Sequence, residues 1–183
     1  MKDLQKDILN FWFVETQPQQ WFQVNEDFDQ IIIDRFNDAY EKAASGAYDE
    51  WKSDSDGALA LVILLDQFPR NMFRGTPKAF ATDNKALIIA KYAISKGLDQ
   101  VHSVQKKRFL YLPFEHSENM NDQRRCVELF EKIKDDAPMG YEYALRHLDV
   151  IDKYSRFPHR NKILSRDNTP EEEEYLAQSD AGF

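Results

Sequence analysis

Cysteine is nearly missing from this chain. Cys126 stands alone, so no intramolecular disulfide and no cysteine-based zinc site can form. Glycine is scarce too. Its six copies are scattered, and none builds a phosphate-cradling loop, a dinucleotide fingerprint or a G-x-S-x-G elbow. No HExxH and no Glu-x-x-His motif of the di-iron kind occurs, so no metal site is assigned. No apolar run is long enough to span a bilayer. The opening segment, MKDLQKDILNFWFV, carries acidic residues and lacks an adequate secretory core. These absences point to a cytoplasmic protein with no membrane partner. Positive charge is also short, with 24 Lys and Arg against 32 Asp and Glu and a formal net charge of -8. Phosphate backbones need a basic surface, which argues against a general nucleic-acid binder but leaves room for a local basic pocket.

What is present is a long apolar run that ends in a charged corner. The 183 residues suffice for a single domain, 1–183, with a substantial core. Its organising stretch is Ala58–Gly75, ALALVILLDQFPRNMFRG. Leu59 to Leu65 is apolar throughout, and such a run must be covered on all sides. Ala and Leu at its start, and helical patterns on either side, favour helix over strand. A helix places Asp66 on the face of Leu59, Val62 and Ile63, in a last turn where the dipole disfavours an anion. That carboxylate needs a cation or several donors. Arg70 and Arg74 are near, and a bend at Pro69 would bring one of them back.

The rest of the chain also reads as helix. Leu4–Val14 puts Leu4, Ile8, Phe11 and Trp12 on one side. Asn25 caps a helix with the stripe Phe28, Ile32, Phe36, Ala39 and Ala43, which stops at Gly46. Thr82 caps a helix ending at Gly97. Lys106–Leu112 starts another, which Pro113 kinks or ends. Asn119 or Asn121 caps the cleanest stripe, Cys126, Leu129, Phe130, Ile133 and Ala137. After a turn at Pro138–Gly140, Tyr141, Ala144, Leu148 and Ile151 face inward. Thr169 and Pro170, followed by Glu171–Glu174, form a helix-start signature. There is no strand alternation and no hairpin dipeptide. The expected fold is all-α, roughly seven to nine helices packed as antiparallel pairs.

Three polar segments break this apolar patterning, and each has two readings. Asp66, Arg70, Asn71 and Arg74 form either a buried ion pair with Asn71 as a cap, or one wall of a pocket. Glu115, His116 and Glu118 place two carboxylates around an imidazole. They suit acid–base work or a helix-start motif, and a metal form would add His159. Arg156-Phe157-Pro158-His159-Arg160-Asn161, with Lys162 and Arg166, is the most cationic segment. It is an anion site, or it neutralises Asp66, Glu115 or Glu118 internally. It echoes the order Gln67-Phe68-Pro69-Arg70-Asn71. His147 reads as a satisfied core histidine. Lys106-Lys107-Arg108 and Arg124-Arg125 read as solvated faces.

The segments LLDQFPRNMFRG and AFATDNKAL within 59–87, FLYLPFEHSENMNDQ at 109–123, and RFPHRNKILSR with TPEEEEYL within 156–176 resemble a bacterial family, domain-of-unknown-function family 924. Trp21-Phe22, Phe28-Asp29 and Gly46 to Trp51 fit it as well. The resemblance implies an all-α fold similar to the tetratricopeptide-like superhelical class, and it brings no substrate or cofactor with it. Two family glycines are Ser155 and Ser165 here. If the glycines serve a turn with positive φ, each Ser costs about 1 kcal/mol; if they admit a ligand, the hydroxyls narrow its site.

The family pattern is built from polar corners, as a shared pocket would be. The expectation is that Asp66, Arg70, Asn71, His159, Arg160 and Asn161 bind a small anionic molecule or a peptide carboxylate. An alternative is an enzyme with His116 as general base, oriented by Glu115 or Glu118. Another is a protein-interaction scaffold whose polar corners are purely structural.

Overall fold

The computed structural model describes residues 2–178, and in them the chain folds into eight helices with no strand. The central helix is α3. It begins at Ser55–Val62, widens into a π turn over Ile63–Gln67 and continues through Phe68–Met72. Asp54 starts it by accepting the Gly57 amide at 3.1 Å. Every residue from Ala58 to Phe68 is buried.

Pro69 does not turn the chain back, as its ring alone would suggest. The π turn absorbs it, and the helix runs on to Met72. A proline has no amide to give to the carbonyl four residues earlier. That carbonyl, Leu65 O, accepts the Thr82 hydroxyl at 2.6 Å instead. Thr82 therefore spends its side chain on α3 and makes no cap hydrogen bond to its own helix.

The other helices wrap this axis. α1 (Lys2–Asn10) ends in a π turn, Phe11–Glu15, and α2 is Glu26–Ala44. α4 is Asp83–Ser95, α5 Val104–Glu115, α6 Met120–Glu131, α7 Pro138–Tyr154 and α8 Pro170–Leu176. α1, α2, α4 and α5 pack against α3, and α5, α6 and α7 continue the stack. Single 3-10 turns sit at Pro18–Trp21, Asp49–Ser53, Pro77–Phe80 and Pro158–Arg160.

Local chemistry sets most of the ends. Asn25 accepts from the Phe28 amide at 3.0 Å, and Asn119 accepts from Asn121 at 2.9 Å. Thr169 and Glu172 form a reciprocal capping box. Gly46 and Gly97 follow α2 and α4 with φ of 94° and 67°, the left-handed stop that glycine takes without strain. α5 differs from expectation, since it passes through Pro113 and ends only after Glu115. Its last carbonyls are collected by the buried Gln123 amide, which donates to Phe114 O, Glu115 O and Ser117 O. Pro138 opens α7 at its first position and makes no separate turn. No helix among the described residues is long and apolar enough to cross a membrane.

Candidate functional site

The π turn of α3 and the C-terminal end of α5 bring together two residues fifty positions apart. His116 Nδ1 lies 2.7 Å from Asp66 Oδ1. Gln67 Nε2 donates to Asp66 Oδ2 at 2.5 Å, and Arg70 Nη2 stands 3.9 Å from Oδ1. Asp66 is fully buried, and burial alone would raise its pKa. His116, with Arg70 behind it, holds the carboxyl below its usual range instead. The expectation for Asp66 was a cation or several donors, and it has both: Arg70 pairs with it at a distance, while the hydrogen bonds come from Gln67 and the His116 imidazole. The orienting carboxylate of His116 is likewise Asp66, and neither Glu115 nor Glu118. Nδ1 is committed to Asp66, and no described residue hydrogen-bonds Nε2.

The arginines of the corner are mostly spoken for. Arg70 forks onto Asp83 with two bonds of 2.8 Å, donates to Ala79 O, and lies over the Phe80 ring. Arg74 forks onto Asp29 at 2.8 and 2.9 Å, and Asn71 donates to the same carboxylate at 2.7 Å. Asn71 therefore ties α3 to α2 and caps nothing. Arg160 is buried between Phe80 and Phe157, donates to His116 O at 3.0 Å, and stands 3.6 Å from Asp83. Burial, with Arg70 adding to it, pulls Arg160 down to about 10.

Two expected residues point elsewhere. Glu118 takes a fork from Arg166, at 2.7 and 3.0 Å, and the Phe157 amide at 2.9 Å. Asn161 donates to Asn168 and Glu172 and so belongs to the seat of α8, where Arg156 also forks onto Glu172. His159 lies against the Phe157 ring, and burial lowers it to about 4.

A cleft of about 620 Å³ opens in front of His116. Its polar wall holds Gln67, Arg70, Asn71, Arg74, Arg108, Glu115 and His147, and its apolar wall includes Trp21, Phe22, Leu112, Phe130 and Met139. Burial pushes the Glu115 carboxyl up to about 8, with Arg108 opposing the rise and Asp66 adding to it. Glu115 Oε2 is buried with no hydrogen-bond partner. Arg108 is partly buried, which lowers its pKa, and no described residue gives it a hydrogen bond or ion pair. A second, shallower hollow of about 370 Å³ shares His116 and adds Phe80, Asp83, Glu118 and Arg160. Among the described residues, no three His, Cys, Asp or Glu side chains gather closely enough to hold a metal ion.

A family model described as a bacterial protein of unknown function, DUF924, matches residues 8–180. The chain belongs to the DUF924 family. A solved structure of a protein of unknown function from Agrobacterium tumefaciens is similar throughout. It is 41% identical, with a TM-score of 0.91, and the match covers 96% of this chain and 98% of that one. No curated protein matches the chain.

The departures from the DUF924 pattern acquire a physical meaning here. Ser155 and Ser165 have φ of 59° and 54°, and both are exposed. Both positions are left-handed turns, as expected if glycine is the usual residue there, and neither serine lines a cleft. Arg108 is the residue that sequence reasoning missed. It sits in a Lys-Lys-Arg run that looks solvated, yet it lines the cleft, which Lys106 and Lys107 do not. Its helical offset of seven from Glu115 was the available signal.

Proposed function

We propose that this protein binds a small anionic ligand in the cleft between α3, α5 and α7. The observation that carries this reading is Arg108, a partly buried guanidinium with no hydrogen bond or ion pair from the described residues. Proteins rarely leave such a charge uncompensated, because burial without a partner costs free energy. A carboxylate or phosphate would supply both the charge and the forked acceptor geometry that arginine suits. Arg70, Asn71 and Arg74 line the same cleft, and Asp66 fixes the ring of His116 at its wall. Arg160 supports the site from behind through the His116 carbonyl.

The test is titration calorimetry with carboxylate and phosphate compounds on the native protein and on Arg108→Gln. Binding that vanishes in the variant, with an unchanged melting temperature, supports the reading. Equal binding by both proteins, or none by the native one, removes it.

A second reading rests on His116. A carboxylate on Nδ1 and an open Nε2 at a cleft are what a general base requires. In this reading Asp66 positions the ring, and the bound anion or a water beside it gives up a proton to Nε2. A pH profile of turnover that His116→Gln abolishes, while anion affinity persists, would support catalysis over binding alone.

A further inference from the structure

The polar end of the cleft has a countable charge. Arg70 and Arg74 are neutralised by forks onto Asp83 and Asp29. Among the described residues, Arg108 is the cleft-lining arginine with no hydrogen bond or ion pair, and the charge that acts on it is that of Glu115 when ionised. Beside it, the buried Oε2 of Glu115 lacks a hydrogen-bond partner. A Glu115 carboxyl held neutral at pH 7 offers an O–H, so the pair presents one positive charge and one neutral donor. That set matches a single carboxylate. A phosphate dianion would bring a second charge that nothing here offsets.

The other end of the cleft is apolar and open. Phe22 is 64% exposed and Met139 57% exposed, although both are large apolar side chains lining a cleft. One comes from the loop after the Pro18–Trp21 turn and the other from the first turn of α7. Trp21, Leu112 and Phe130 form the buried floor between them and the polar end. Gly140 lets the first turn of α7 pack closely on this floor, since a Cβ there would lie 2.6 Å from the Phe130 ring. An apolar body seated here would cover surface that is otherwise left to water.

We infer that the ligand is an amphiphilic monocarboxylate, with its carboxylate held by Arg108 and Glu115 and its alkyl or aryl body lying along Trp21, Phe22, Phe130 and Met139. This rests on the anion-binding reading above and narrows it to one class.

The experiment is calorimetry on the full chain at pH 7 with acetate, butanoate, hexanoate, octanoate and 3-phenylpropanoate. Controls are 3-phenylpropanamide and inorganic phosphate. The expected result is affinity rising about two- to fourfold per added methylene, as buried CH₂ groups give. The amide and phosphate should bind at least tenfold more weakly than 3-phenylpropanoate. Arg108→Gln should lower octanoate affinity at least tenfold, and Met139→Ser should flatten the chain-length series without abolishing acetate binding. Met139 is exposed, so that variant leaves the fold intact. Acetate or phosphate binding as tightly as octanoate would overturn this inference while leaving the anion site standing. No binding by any probe would remove both.

Discussion

Glu115 Oε1 lies 3.8 Å from His147 Nδ1, and at neutral pH the two do not form an ion pair. Burial pushes the carboxyl up to about 8 and the imidazole down to about 3. His147 Nδ1 donates to Tyr143 O at 2.8 Å, which fixes the neutral tautomer. The core beside the cleft therefore holds an acid and a base that are both uncharged. This gives the pH dependence of the fold a definite sign.

Glu115 binds its proton more tightly in the folded chain than in the unfolded one. Its contribution to stability is present at low pH and is lost as pH rises through about 8. His147 and His159 act oppositely, because their depressed values cost stability as pH falls below the usual histidine range. The two effects oppose each other near pH 6.5, and the histidine part fades only about one unit higher, so the clean window is about pH 7.5 to 8.5. There urea unfolding should lose up to roughly 1.4 kcal/mol per pH unit. Glu115→Gln should flatten the slope, and an unchanged slope would refute the assignment.

Removing Asp66 tests how far the His116 pairing is structural. Asp66→Ala should cost about 3–5 kcal/mol, as deleting one partner of a buried charged network does. Asp66→Asn keeps an acceptor for Nδ1 and should cost less. Arg108→Gln should leave stability unchanged or higher, because no described residue forms an ion pair with Arg108. If Asp66→Ala and Arg108→Gln both lowered stability by several kcal/mol, the scaffold reading would gain over a ligand site.

Ser155 and Ser165 sit where L-residues with a Cβ are strained. Replacing each by glycine removes that strain and adds some unfolded-state entropy. The net gain should be about 0.5–1 kcal/mol per site. Thermal unfolding of the single and double variants checks this, and a loss at both sites would contradict it.

Thr82→Val should expose the cost of a proline inside α3. Without the hydroxyl, Leu65 O is a buried carbonyl with no donor from Pro69. The penalty expected for a buried unsatisfied group is about 1–3 kcal/mol. Thr82→Ser keeps the donor and should lose much less, and equal losses would point to packing alone.

The amino-acid order by itself determined that this chain is helical and where most helices stop and start. Asn25, Asn119, Thr169, Gly46 and Gly97 act through bonds and dihedrals within a few residues of themselves, so their effect is readable without a neighbour. It also singled out Asp66 as a buried carboxylate in need of a partner. Which partner it received was decided only by tertiary packing. His116 reaches Asp66 because α5 runs through Pro113, and that continuation is a property of the helices around it. The same holds for the arginines. Arg70, Arg74 and Arg108 look alike along the chain and line one cleft, but Asp83 and Asp29 arrive beside the first two, and no described residue pairs with the third. Charge compensation acts through space, and spacing along the chain does not carry it.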